Sequence, residues 1–256
     1  MQFTCEYGEI FSPSAEDGRR IDDLMQRYCS AKRTAFNLLL SRGHSVKEVT
    51  HRLEMLDSLA LNWRYCEHAT RDADAEIKSQ RALLPVYLSD VCDRIEDASS
   101  KLAKARSPRK KDGLRKNLLR LEKRKRILEK HVAAGTIPKV VFGTRKLFVE
   151  REYGKISNQE WREARNNQVY SIGQTNQKGN ANIRLDEKRI GINFPEKIEP
   201  REAKGRVYRV KNVRRWFALR VNERFRKYVD PVFESEKGIL REGGEEEREV
   251  FRAGEL

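Results

Sequence analysis

The apolar residues of this 256-residue chain pass from a long helical spacing to a strand-like one near Pro138, and that switch constrains the fold more than any other feature. Between Asp22 and that point the period is helical. From Asp22 onward, Leu24, Tyr28, Ala31, Ala35 and Leu38 step by 4, 3, 4 and 3 and predict one helix face ending at Arg42-Gly43. Ser45-x-x-Glu48 fits a capping box, followed by Val46, Val49, Leu53 and Leu56 on a second helix. Leu61, Tyr65, Ala69, Ala73 and Ile77 predict a third, from Leu61 to Gln80. Ile95, Ala98, Leu102 and Ala105 mark a fourth, stopped at Ser107-Pro108. Leu114, Leu118, Leu121, Leu128 and Val132 give a fifth with a heptad seam that Lys125 interrupts, and the last two read as an antiparallel hairpin.

After Pro138 the texture is that of short strands. Val140 to Phe148 reads as a strand and Ser157 to Arg165 as a short helix, and 166–180 is rich in Asn, Gln and Gly. Strand-like runs follow at 181–185, 189–194, 206–210 and 216–221. Phe3, Cys5 and Tyr7, at period two, predict a further strand at the start. The expected class is therefore α+β, with helices interrupting a β-rich part. From Pro231 the periodicity is lost and 8 Glu stand against 4 basic residues, so 229–256 is expected to be an acidic disordered tail.

Charge narrows the function classes. The formal net charge is +15, with 36% charged and 38% hydrophobic residues. No apolar run approaches the ~18 residues of a membrane span, and the first residues lack the basic cluster and apolar core of a secretory signal. Cys5, Cys29, Cys66 and Cys92 have no C-x-x-C spacing and no paired histidines, which points to reduced thiols and no metal site. Residues 101–130 hold 14 Lys plus Arg against 3 acids, and 206–228 hold 9 against Glu223 alone. Such runs repel themselves unless a polyanion or solvent screens them. The first is read either as the solvated face of a helical hairpin or as a phosphate-binding surface. The second interleaves arginine with Tyr208, Trp216 and Phe217, as suits RNA bases and phosphates together, or a β-core into which at least one of two adjacent aromatics points.

Four motifs recur in order: FGTRKLF at 142–148, GKIS with EWREARNNQ at 154–168, KGNANI at 178–183, and YRVKNVRRWFALRV at 208–221. Amide side chains offer paired donors and acceptors, and glycine allows close backbone approach to phosphate. No P-loop or G-x-G-x-x-G pattern is present to support a nucleotide enzyme.

This series resembles the N-terminal part of the TnpB/OrfB proteins of insertion sequences, which are related to compact type V CRISPR effectors. Lys32-Arg33-x-x-Phe36-Asn37-x-Leu39 is similar to their first recognition helix, and Leu61-Asn62-Trp63-Arg64-Tyr65 to the next; the likeness covers about 1–222. It implies an oligonucleotide-binding-like β-barrel (the wedge domain, WED) made of 1–20 and 137–228, with a helical recognition (REC) lobe, 21–136, inserted between. It also implies a guide RNA and a double-stranded DNA target as partners, in a cytoplasmic, nucleoid-associated setting without a membrane. The RNA or phosphate contacts it points to are Arg145, Lys146, Arg165, Gln168, Lys178, Asn180, Arg209, Arg214 and Arg215. The contacts to a target-adjacent DNA motif are Arg33, Asn37, Asn62, Arg64 and Tyr65, although Tyr65 also fits the apolar helix face. Arg33 and Asn37, four apart, share a face.

The chain departs from that family in its catalytic part. Full-length relatives carry a RuvC domain whose Asp, Glu and Asp hold two Mg²⁺ ions. Here no G-x-D-x-G or G-x-D-x-N motif occurs, Asp230 precedes Pro231, and no Asp follows it. The family's four-cysteine zinc motif is missing too. We therefore expect no catalytic residue, no metal ligand and no cofactor in this chain, Mg²⁺ being expected only with a RuvC domain, and a truncated or frameshifted reading frame. The reading is an RNA-guided DNA-binding fragment. Its alternatives are a nuclease-dead RNA-guided regulator, one half of a split nuclease completed by a separate RuvC-bearing chain, and a generic basic RNA-binding protein.

Overall fold

The computed structural model describes residues 8–10, 14–42, 44–173, 180–186, 188–203, 206–221 and 223. Its order is β1 (Gly8–Ile10), α1 (Ala15–Arg42), α2 (Val46–Glu54), α3 (Trp63–Lys104), α4 (Pro108–Ala134), α5 (Arg145–Glu152), α6 (Asn158–Arg165), β2 (Ile183–Asp186), β3 (Arg189–Ala203) and β4 (Arg206–Val221). The class is mixed α+β: six helices and a four-stranded antiparallel sheet of order β1-β4-β3-β2, open among the described residues. The expected strand at Phe3, Cys5 and Tyr7 and the acidic tail lie outside the described residues. None of the described helices is long and apolar enough to cross a membrane.

The helical half follows its apolar spacing. Leu24, Tyr28, Ala31 and Ala35 are buried on α1, and Tyr65, Ala69, Ala73 and Ile77 on α3. The capping box before α2 is formed: Ser45 Oγ accepts from Glu48 N–H at 3.3 Å, and Glu48 Oε2 accepts from Ser45 N–H at 2.9 Å. One buried cluster joins these helices to Ile192, Phe194 and Phe217 of the sheet.

Four expectations are corrected. The third and fourth helices are one 42-residue helix that runs through Pro85. Proline removes one backbone donor, but Ile77, Leu84, Val91 and Ala98, seven apart and all buried, keep the same face inward on both sides of it. On α4 the line against α3 is Leu114, Leu118, Leu121, Lys125 and Leu128, continuing to the half-buried His131, while Val132 is exposed. The expected strand at 140–148 is instead a loop that leads into α5 at Arg145, with Thr144 Oγ1 accepting from Leu147 N–H at 3.2 Å as its cap. Finally, 206–210 and 216–221 belong to one continuous strand, paired along its length with an equally continuous β3.

Candidate nucleic-acid interface

The first candidate surface is α4. It holds eleven lysines and arginines against Asp112, Glu122 and Glu129. Lys116 and Lys125 pair with Asp112 and Glu129 of the same helix. The other nine, among them Arg120, Lys123, Arg124 and Arg126, make no ion pair with a described residue. The facing α3 carries acids, but Asp90 and Asp97 pair within α3, with Arg94 and Lys101. These α3 acids are thus spent within their own helix, and α4 stays cationic along a length of about 40 Å.

The second is the outer face of the sheet. Strand alternation sends Phe217 into the core and Trp216 out, the latter 43% exposed. Arg184, Gly191 and Trp216 lie in one row across β2, β3 and β4. The absent side chain at Gly191 gives the indole its seat: an added Cβ would lie 3.0 Å from three ring atoms. The Arg189 guanidinium lies 5.2 Å from the ring centroid.

The third is where α1 meets α6. Phe142 packs edge-on against Phe36 of α1, centroids 5.1 Å apart. Gly143 then turns with φ +86°, and a Cβ there would sit 2.8 Å from Arg165 Cγ and 3.2 Å from the Trp161 ring. Arg165 lies over Trp161 at 5.4 Å, and Arg151 lies over the same ring at 5.5 Å. Arg33 crosses from α1, donating to the Arg165 carbonyl at 3.0 Å and to Asn166 Oδ1 at 2.9 Å. Burial, and then the positive charge of Arg165, lower the pKa of the Arg33 guanidinium. Cys29, also on α1, donates to the Gln168 carbonyl at 3.3 Å, and burial raises its thiol pKa.

Several residues expected to contact nucleic acid are bonded within the chain, and two of them are interior. Asn62, 8% exposed, caps α3 by accepting from Tyr65 N–H at 2.9 Å. It also donates to Asn182 Oδ1 at 3.0 Å and to Asn212 Oδ1 at 2.8 Å. Tyr65 is fully buried and donates to the Asn193 carbonyl at 3.0 Å. Neither offers a surface to DNA. Asn180 is spent in a turn: Oδ1 accepts from Ser171 Oγ, Asn182 N–H and Ile183 N–H, and Nδ2 donates to the Ser171 carbonyl. Arg214 donates to Asn193 Oδ1 and the Ala181 carbonyl. Arg209 pairs with Asp57 at 3.1 Å, Arg215 with Asp17 at 3.5 Å, and Arg64 with Glu67 at 3.1 Å.

The residues that remain outward are Arg145, Lys146, Asn37 and Gln168, all exposed. The Lys146 side chain is 81% exposed and 3.9 Å from Glu150. Lys178 lies outside the described residues. The α4 face was legible as a charge run, whereas the meeting of Arg33 with Arg165, 132 positions apart, has no local signal. Among the described residues no group of three or more His, Cys, Asp and Glu is arranged to hold a metal.

The family described as SSO2105 N-terminal domain matches residues 7–230. The chain belongs to that family. Every described strand and helix, from β1 to β4, falls inside the SSO2105 N-terminal domain match, as do all three surfaces. Comparisons with curated proteins and with solved structures found no match.

Proposed function

We propose that this chain is a nucleic-acid-binding module whose ligand is RNA, and that it serves as the guide-binding, DNA-reading part of a TnpB/OrfB-type RNA-guided nuclease. The observation that carries the RNA reading is α4: nine cations on one helix with no ion pair to a described residue. Phosphates are the ligand such a face suits, because neutralising them releases condensed counterions. The nuclease context is supported by the order of elements, a strand at one sheet edge, then helices, then the remaining strands, which fits a WED-like β-part with a REC-like insertion. DNA reading would then fall to surface groups such as Asn37, since Asn62 and Tyr65 are interior.

A second reading, sequence-tolerant RNA binding, is favoured by one feature of the same face. α4 contains no Phe, Trp or Tyr, so it offers phosphate contacts without base stacking.

The test is to co-express the chain with its native flanking DNA, purify at high salt and sequence the RNA that stays bound. One discrete structured species mapping beside the gene is expected. A mixture of ribosomal and transfer RNA would support the sequence-tolerant reading, and no RNA would sink both. Replacing Lys123, Arg124, Arg126 and Lys130 by Gln should flatten the dependence of log K on log salt by about 0.7 per cation that faces a phosphate.

A further inference from the structure

We propose that Arg33 and Arg165 form a cradle for a single phosphate group at the junction of α1 with the end of α6. Two guanidinium groups that influence each other electrostatically are costly unless an anion lies between or beside them. Here neither Arg33 nor Arg165 makes an ion pair with a described acid; their partners are a carbonyl, an amide oxygen and the face of an indole. Other arginines in this fold are treated differently. Arg20, Arg27, Arg209 and Arg215 each reach a carboxylate.

The pair is also held in place. Arg165 is clamped between Gly143 and Trp161, and the side chain that any other residue would place at 143 would collide with it. Its Nε is buried with no acceptor among the described residues. Arg33 is fixed by two hydrogen bonds that orient its fork. Asn37 is exposed one helical turn along α1, within the same face. The Nη N–H groups that the two arginines leave unused within the chain are the donors that phosphate oxygens would accept.

The shared ligand chemistry is the phosphate oxyanion. Taking it to be a backbone phosphate of RNA rests on the function proposed above. The experiment uses the full chain stripped of nucleic acid at high salt, and the variants R33Q, R165Q and R165K, with R162Q on α6 as an exposed cationic neighbour. Thermal unfolding is followed as inorganic pyrophosphate replaces chloride at constant ionic strength, and affinity is measured for a short labelled single-stranded RNA.

The expected result is a saturable rise in the wild-type midpoint, retained in R162Q, reduced in R165K and lost in R33Q and R165Q. RNA affinity should fall about tenfold in R33Q and R165Q and much less in R162Q. No saturable response in the wild type overturns the cradle, whatever the variants do. A response that R162Q weakens as much as R165Q also overturns it, as diffuse charge. A pyrophosphate response that R165Q abolishes while RNA affinity is unchanged assigns the cradle to a free phosphate compound and overturns the RNA assignment. The α4 quadruple variant reads the broader function separately, because those residues lie on another helix.

Discussion

Asn62 is where the resemblance-based expectation and the structure diverge most, and its replacement measures which is right. Its Oδ1 caps α3, a role worth about 1 kcal/mol. Its Nδ2 donates to Asn182 Oδ1, which is 1% exposed and whose own Nδ2 has no partner among the described residues. Losing that donor leaves a buried amide oxygen unpaired, at a cost of about 1–3 kcal/mol. The second acceptor, Asn212 Oδ1, belongs to an exposed residue that water can serve, so it adds little. N62A should therefore destabilise by about 2–4 kcal/mol. N62S, which keeps a capping oxygen but cannot reach Asn182, should cost about 1 kcal/mol less. Urea unfolding followed by helical circular dichroism gives both values. In folded protein, RNA and DNA affinity should be unchanged. Two variants within about 0.5 kcal/mol of wild type, with weakened DNA binding, would refute the interior role and return Asn62 to the surface.

Three further outcomes are expected. G143A should destabilise by about 2–4 kcal/mol, from left-handed backbone strain and the collision with Arg165 and Trp161, visible as a lower thermal midpoint. P85A should stabilise by about 1–3 kcal/mol in the same assay, because it restores a backbone donor inside α3 without disturbing the exposed side of the helix. His68 is buried with Nδ1 3.2 Å from Ser171 Oγ, and burial lowers its pKa below the ordinary 6.5. As pH falls below about 6.5 the unfolded chain takes up a proton that the folded chain refuses. Stability should then fall by up to about 1.4 kcal/mol per pH unit until the lowered folded pKa is reached, a slope that H68N removes in chemical denaturation at pH 7 and pH 5.

The helical half was legible because burial of one helix face writes itself into residue spacing, and Ser45 with Glu48 marked a start unambiguously. The gap expected between Gln80 and Ile95 is not there, because the seven-residue spacing of Ile77, Leu84, Val91 and Ala98 carries one buried face across it, a regularity longer than the windows read on either side. α5 was misread since a two-turn helix has no room for a period, and its Leu147 and Phe148 are only half buried. The middle of β4 looked like a gap because Lys211 to Arg215 is polar. Strand pairing needs only backbone groups, and Arg215, alternating inward with Val213 and Phe217, finds Asp17 on α1. The amides of 180–182 gave no hint of their fate, since an amide serves an interior network as readily as a phosphate.

That ambiguity is resolved by what each cation is bonded to. The arginines of β4 read from sequence as an RNA surface act as struts: Arg209 to the turn before α3, Arg214 to the loop before β2, Arg215 to α1. Removing such a group costs fold before it costs affinity. On α4 the balance is opposite. Eleven basic residues against three acids give that helix a net +8, more than half of the chain's +15 in 27 residues, and only Leu128 of the helix is buried. A surface that contributes so little to the core and concentrates so much charge is where sequence change would alter polyanion affinity and salt dependence with little effect on stability, whereas at the Arg33–Arg165 junction both would move together.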